Sequence, residues 1–482
     1  IWNRRKSGEI HPVWMSISTV RDPKGTATHH ISLLVDISEQ KAQAARIEQL
    51  AFYDPLTGLP NRALFMDRLK QALAGAHRHG KPLALLFLDL NRFKEINDTQ
   101  GHAIGDHALI EVARRFQATL RQEETLARIG GDEFVVIAEG TDQSAAARIV
   151  ERLQLALAEP LSVKGQTFSL GASIGIALYP EDGASPEELL KHADIAMYRA
   201  KMNGGGYRFY RPEMGTQLAK RLEIAKRLQG ALEGERLQLH FQPQVDLRTG
   251  AVTGAEALVR WDDLEWGAVP PAEFIPVAQE RGMMGALGEW VLKEACRQLK
   301  RWQEAGIRFP GRLAINVAAQ QFEEAEFVAK VQAIVQSAGL APARFELELT
   351  ESGMMADPER AIRVTQALKA AGFALSIDDF GAGYSSLAYL KRFAADKLKI
   401  DISFVRDMLD DRNDYAIVKT IIAMARSLGL KTLAEGVEAA AQAQALLELG
   451  CDEAQGYYFD PPAPADVFAR KWLKPASGGA PV

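Results

Sequence analysis

The sequence predicts an α/β multidomain chain: a smaller α/β domain followed by a TIM-like (β/α)8 barrel, preceded by a short β sheet and a linker helix. Three observations predict it. From about residue 234 onward, strand-length apolar runs and helical stretches repeat about eight times over roughly 250 residues, the rhythm of a closed barrel. Between residues 53 and 212, the apolar runs Leu83–Leu88 and Phe134–Ala138 alternate with amphipathic helical patterns. With 482 residues, 47% of them hydrophobic and 25% charged, the chain is long enough for two or three separate cores.

Taken in order, residues 1–37 alternate apolar and polar positions in Val13-Trp14-Met15-Ser16-Ile17 and again in Ile31-Ser32-Leu33-Leu34-Val35. The turn residues Asp22-Pro23-Lys24-Gly25 between them make this a hairpin that needs further strands. Residues 38–52 read as a linker helix with Ser38 placed to cap it, and Ala44, Ile47 and Leu50 space a narrow apolar stripe. That stripe suits a twin helix, so a homodimer is expected, with a monomeric linker as the alternative. Asp54-Pro55 and Gly58-Leu59-Pro60 break the helix and open the domain at 53–212. A charged helix, Gln217–Glu233 within an interdomain segment 213–233, leads to the barrel at 234–474. Its candidate strands are Gln238–Val245, Thr253–Val259, Leu313–Val317, Phe345–Leu349, Ala374–Ile377, Lys397–Ile400, Thr432–Ala434 and Ala454–Phe459, and residues 475–482 read as a disordered tail.

Composition excludes several classes of function. The net charge of −5 comes from 57 basic and 62 acidic residues in mixed order, so no basic stripe advertises a nucleic-acid polymer or a lipid surface. Cys296 and Cys451 form no CxxC pair, which argues against a disulfide scaffold or structural zinc and favours a reducing cytoplasm. The apolar runs fall short of the roughly 20 residues of a membrane helix. The chain starts at Ile1 without a signal-like segment and reads as a fragment, which leaves a membrane anchor in its parent open.

Polar residues gather at the predicted strand ends. Glu256, Asn316, Glu348, Asp378, Asp379, Lys399, Glu435 and Gln455 lie in or at the ends of seven different predicted strands, so closing the barrel brings them together. Each has an ordinary structural reading: Asp378-Asp379 caps a turn, Glu435-Gly436 ends a strand, and Lys399 is an ion-pair partner. Jointly they resist it, because buried unpaired carboxylates each cost several kcal/mol. An oxygen-rich set with one Asn suits Mg²⁺ or Mn²⁺ rather than zinc. Two such ions about 3.5–4 Å apart would polarise a phosphodiester for attack by water.

Glu256-Ala257-Leu258-Val259-Arg260 resembles the signature of the EAL family of cyclic di-GMP phosphodiesterases. The resemblance extends in order through Phe241-Gln242-Pro243, Asn316, Glu348-Leu349-Thr350-Glu351-Ser352, Asp378-Asp379-Phe380-Gly381, Lys399-Ile400-Asp401, Glu435-Gly436-Val437-Glu438 and Gln455-Gly456. It implies hydrolysis of cyclic di-GMP to linear pGpG by two-metal-assisted water attack. Glu256, Asn316, Glu348, Asp378, Asp379 and Glu435 would hold the metals or their waters, and Lys399 would position the attacking water and help deprotonate it. Gln242, Arg260 and Gln455 would contact substrate, and Glu351 would anchor a gating loop at Asp379–Ser386.

The middle domain resembles the GGDEF family of diguanylate cyclases through Arg128-Ile129-Gly130-Gly131-Asp132-Glu133-Phe134 and Asp54-Pro55-Leu56-Thr57-Gly58-Leu59-Pro60-Asn61-Arg62. Asp89 and Asp132 would then hold Mg²⁺ on GTP, with Asn97 and Asp106 reading guanine and Lys94 and Lys201 near phosphates. Two departures weaken synthesis: Arg121-Gln122-Glu123-Glu124 stands where the family has the product-inhibition motif Arg-x-x-Asp, and Gly204-Gly205-Gly206 where it often has Gly-Arg-Asn. Residues 1–37 resemble the closing strands of a PAS sensor domain. These resemblances together imply a phosphodiesterase whose GTP-binding domain is regulatory. The alternatives are a bifunctional enzyme with net cyclase output and a non-enzymatic cyclic di-GMP receptor.

Overall fold

In the computed structural model the chain is described throughout, except at residues 22, 24, 26, 164, 235, 325, 382–386 and 476–482. Parts of the expected first turn, of the gating loop and of the tail fall outside the described residues. The chain divides into two compact units, Ile1–Ala219 and Lys220–Val482, and the helix Pro212–Glu233 carries it from one to the other. That helix begins five residues before the expected Gln217, at a proline whose missing N–H costs nothing in a first helical turn.

The first unit opens with a three-stranded antiparallel sheet, Trp2–Arg4, Ile10–Arg21 and Ala27–Asp36. Val13 is buried, but most of its other apolar side chains remain exposed on both faces, Trp14, Ile17, Ile31 and Leu33 among them. The linker helix spans Ser38–Phe52 as expected. Ser38 does not cap it: Asp36 Oδ1 accepts the Ser38 amide at 2.9 Å instead, a carboxylate being the stronger acceptor at a helix start. Ile47 and Leu50 of the expected stripe are exposed.

Beyond it, a five-stranded sheet runs in the order Gly206–Phe209, Gly171–Tyr179, Leu83–Asn91, Glu133–Glu139, Glu124–Gly130. The central strand Leu83–Asn91 is apolar on both faces because helices cover both. Ala84, Leu86 and Leu88 pack with Val112, Phe116 and Val150, while Leu83, Leu85 and Phe87 pack with Leu69, Ala193 and Met197. The two-residue period therefore puts Asp89 on the second face, towards helix Pro186–Met202.

The second unit is a closed barrel of eight strands: Leu237–Asp246, Val252–Asp263, Arg312–Val317, Phe345–Thr350, Ala374–Phe380, Lys397–Ile400, Lys431–Ala434 and Glu453–Ala454. Its first strand is antiparallel to both neighbours, unlike the rest. The reason is length: the link between the first two strands has room for a turn, whereas a parallel crossover needs a dozen or more residues. Strand residues alternate sharply. Leu347, Leu349, Leu375, Ile377, Leu398 and Ile400 join the apolar layer under the surrounding helices. Between them stand Glu346, Glu348, Ser376, Asp378, Lys397 and Lys399, all buried, so the barrel interior is polar.

The last strand is shorter than the expected Ala454–Phe459. At Gly456 the chain crosses against Val437, so closely that a Cβ there would lie 2.2 Å from the Val437 carbonyl oxygen. Tyr457 and Tyr458 turn out to solvent.

Candidate active site

At the carboxyl ends of the parallel strands, the polar residues converge on one buried ammonium. Lys399 Nζ lies 2.8 Å from Glu348 Oε2, 2.8 Å from Glu435 Oε1, 3.1 Å from Asp378 Oδ1 and 3.7 Å from Glu256 Oε2. Burial works against its charge, but Glu256, Glu348, Glu435 and Asp378 outweigh it and hold Lys399 well above the usual lysine range. It is a cation enclosed by these carboxylates, and it donates to Glu348 Oε2 at 2.8 Å.

Strand register sets the rest. Glu256 sits on the second strand, and Asn316 Nδ2 and Gln455 Nε2 each donate to it at 2.6 Å. Gln455 also donates to Glu435 at 3.0 Å. Asp378 and Asp379 are adjacent, yet both reach the site, because the strand bulges between Ile377 and Phe380 and Asp379 takes a left-handed conformation at φ 53°. Without that break in alternation, successive side chains would point to opposite faces. One carboxylate oxygen from each of Asp378, Asp379 and Glu435 lies within 4.8 Å of the others.

The electrostatics show a surplus of negative charge. Burial, with Glu256 and Asp378 nearby, pushes Glu348 well above the carboxylate range. Burial, then Asp378 and Glu256 acting against Lys399, raises Glu435 to about 8. Burial with Asp378 and Asp401 raises Asp379 to about 6. Glu256 alone is pulled down, its burial overcome by Lys399 and by hydrogen bonds from Gln455 and Asn316. Glu348 Oε1 is buried and accepts no hydrogen bond. Five carboxylates, one ammonium and an orphaned buried oxygen fit divalent cations with oxygen ligands.

Around this cluster the structure seats the other expected residues. Gln242 pairs in register with Glu256, and its Nε2 reaches the Asp460 carbonyl at 3.2 Å. Glu351 is buried at the start of helix Glu351–Ala356 and accepts the Gly381 amide at 2.8 Å, holding the entry to the expected loop. Ala382 to Ser386 of that loop lie outside the described residues. A cavity of about 290 Å³ opens beside Asn316, walled by Leu258, Pro271, Ile275 and Met284 with Arg260 on its lining.

A second acidic group lies in the first unit. Gly130 pairs with Glu133 across a two-residue turn at Gly131-Asp132, with Gly131 at φ 46°, and Glu133 stands opposite Asp89 in register on the other side. Arg128 staples this turn, donating to the Gly131 carbonyl at 2.7 and 3.0 Å and to Asp54 at 2.8 Å. Lys201 Nζ is 2.6 Å from Asp89 Oδ1. Asp132 is raised by burial and by Asp89. Glu133 is raised by burial and then by Asp194, and Asp194 by burial and Asp89. Asp194 was not among the expected residues; it lies about two turns before Lys201 on the same face of Pro186–Met202. Asn97 and Asp106 lie on successive helices, Phe93–Gln100 and His102–Thr119, with Gly105 packed against the Asn97 amide. Lys94 is on the first of these helices.

Comparison with known proteins identifies both domains. A family model for the EAL domain matches residues 225–462, and one for the diguanylate cyclase GGDEF domain matches residues 51–206. Cyclic di-GMP phosphodiesterase PdeR of Escherichia coli is 37% identical over 454 residues, covering 93% of this chain and 68% of that protein. The chain belongs to the tandem GGDEF–EAL family. The bifunctional diguanylate cyclase/cyclic di-GMP phosphodiesterase MucR of Pseudomonas aeruginosa is 44% identical over 419 residues, covering 87% of this chain and 61% of its own length. The chain thus spans between about half and two thirds of the curated relatives it matches first. Its EAL domain is similar to the solved PaMucR phosphodiesterase in complex with c-di-GMP, at 42% identity and a TM-score of 0.50, over 51% of this chain and 99% of that one. A Vibrio cholerae LapD S helix-GGDEF-EAL structure shares the fold at 20% identity and a TM-score of 0.53, over 87% of this chain and 99% of that one.

Within the GGDEF domain, the two departures have structural reasons. Glu124 is bound to Arg152 at 2.7 Å and accepts the Arg121 amide at 2.7 Å, so it closes a loop of its own. Gly204, Gly205 and Gly206 all have positive φ, and a Cβ on Gly205 would fall 2.9 Å from the Asn91 amide nitrogen. A long side chain at Gly205 would strain this turn.

Proposed function

We propose that this chain hydrolyses cyclic di-GMP to linear pGpG in its EAL domain, using Mg²⁺ or Mn²⁺, while its GGDEF domain binds Mg²⁺-GTP as a regulatory module. The convergence of Glu256, Glu348, Asp378, Asp379 and Glu435 on Lys399, with no member of the set replaced, carries the reading. Glu256, Asn316, Glu348, Asp378, Asp379 and Glu435 would hold the metals. Bound there, the ions supply a Lewis acid and an activated water. The chain's own residues do the remainder: Lys399 fixes the carboxylates around it and supplies positive charge to an incoming phosphodiester, Arg260 offers a planar donor to phosphate, and the apolar cavity beside Asn316 takes a base. Gln242 closes the site from the antiparallel strand. A pure receptor has no use for so costly a buried acidic set.

A bifunctional enzyme is the second reading, favoured by the group of Asp89, Asp132, Glu133 and Asp194 beside Lys201. The glycine turn at 204–206 speaks against efficient synthesis, because cyclisation demands a firmly held triphosphate in line with a second one. We read residues 1–37 as part of a PAS domain, place the chain in the cytoplasm and expect a homodimer through the linker helix. Among the described residues no helix is long and apolar enough to cross a membrane. The test is hydrolysis of cyclic di-GMP with and without saturating GTP, in the intact chain and in Asp132→Ala. GTP raises the rate only in the intact chain; an unchanged rate there, or vigorous dinucleotide synthesis from GTP, overturns the regulatory assignment.

A further inference from the structure

We infer that Gln244 and Lys397 are positioning residues for the metal-holding carboxylates, acting through a relay of two glutamine amides that ends on Glu256 and Glu435. The inference rests on reading the EAL domain as a metal-dependent hydrolase.

One layer below the site, the barrel interior holds a second polar group. Lys397 Nζ lies 3.0 Å from Glu346 Oε1 and 2.8 Å from Glu453 Oε2, with all three side chains almost fully buried. Lys397 Nζ also donates a hydrogen bond to Gln244 Oε1 at 3.3 Å. Gln244 Nε2 donates to Gln455 Oε1 at 3.3 Å, and Gln455 Nε2 donates to Glu256 and Glu435 at 2.6 and 3.0 Å. Gln244 and Gln455 are 2% and 4% exposed, so water does not compete for these bonds.

The direction of this chain is fixed by its ends. An ammonium only donates and an ionised carboxylate only accepts, whereas a primary amide does both from opposite sides. With Lys397 at one end, Gln244 must turn its oxygen down and its NH₂ up. Gln455 must then turn its oxygen towards Gln244 and its NH₂ towards the carboxylates. Turning either amide over would set donor against donor or acceptor against acceptor in a buried site, at the full cost of unmade hydrogen bonds. Room for Gln244 is made by Gly254 on the paired strand, where a Cβ would lie 3.2 Å from Gln244 Oε1. Lys397 therefore sets, from below, the donor that holds two metal-binding carboxylates in place. Groups behind metal ligands commonly change metal affinity about 10–100-fold when removed.

Gln244→Met keeps length and volume and removes the relay, leaving Lys397 paired with Glu346 and Glu453. Mn²⁺ binding without substrate is followed by the electron paramagnetic resonance signal of the free ion, and the binding lost in Glu256→Ala identifies the barrel site. In Gln244→Met we expect that binding to weaken about tenfold in a chain that still unfolds cooperatively, with turnover restored by raising Mn²⁺. Lys397→Met should also weaken it. Simple charge repulsion predicts the opposite sign, since removing a cation would favour a second cation. Should Lys397→Met fail to fold, Gln244→Met decides alone. Unchanged Mn²⁺ affinity in Gln244→Met, or tighter binding in Lys397→Met, overturns the relay. Absence of cyclic di-GMP hydrolysis in the intact chain, with Mn²⁺ affinity still lost in Gln244→Met, overturns the functional reading and leaves the relay standing.

Discussion

Stripping divalent metal from this chain should make the stability of its barrel fall as pH rises from about 5 to about 8. Glu435 shows why. Its carboxyl is raised to about 8 in the folded state, from an ordinary value of 4.5, chiefly by burial and by Asp378 and Glu256. Between those values the folded chain keeps a proton that the unfolded chain has released. A group raised in this way contributes its stability in full below its unfolded pKa and loses it as pH rises through the folded one. The slope is about 1.4 kcal/mol per pH unit for one such group, so Glu435 alone removes up to about 4 kcal/mol across the window. Glu348, also raised, acts in the same sense. Divalent cations reverse the trend, because they stabilise the ionised carboxylates and bind the folded chain only. Urea unfolding followed by tryptophan fluorescence is a suitable assay, since Trp261 and Trp302 are buried in the barrel unit. Chelated samples should lose stability with rising pH, and samples with Mn²⁺ should not. Stability in chelator that is flat or rises over this window, or that Mn²⁺ leaves unaltered, refutes the reasoning.

Glu256→Ala should lower hydrolysis of cyclic di-GMP at least about a hundredfold, measured by chromatography of the products. Ca²⁺ should inhibit the Mg²⁺- or Mn²⁺-supported rate, because it prefers more ligands at longer distances; equal support by Ca²⁺ would count against the two-metal reading. Gly105→Ala should weaken GTP binding by about tenfold in calorimetry. The new Cβ would stand 2.0 Å from Asn97 Oδ1 and drive that amide from its place, without touching the barrel. Light scattering should show a dimer, and a fully active monomer would exclude pairing through the linker helix.

Much of this molecule was readable from its residues because the barrel imposes a two-residue period on its strands. Glu348, Asp378, Lys399 and Glu435 stand out as charges in or beside apolar runs, and the register brings them together. The same period marks a second inward-facing set. Gln244, Glu346, Lys397 and Glu453 each stand two residues from a site residue on the same strand or its continuation, and so must also face inward. Asp194 was harder to see, because it reaches Asp89 from a helix more than a hundred residues away in sequence and no local pattern marks it. The end of the last strand depended on the close passage of Gly456 over Val437, a contact between segments that spacing does not reveal. Nor did propensity show that Asp379 would turn left-handed, which is what lets two adjacent acids share one site.

The most direct measurement is incubation of the purified chain with cyclic di-GMP and Mn²⁺, with nucleotides separated by chromatography and Glu256→Ala run alongside. The account predicts conversion to linear pGpG by the intact chain, none in excess chelator and none by the variant; unconverted cyclic di-GMP, or equal conversion by the variant, would contradict it.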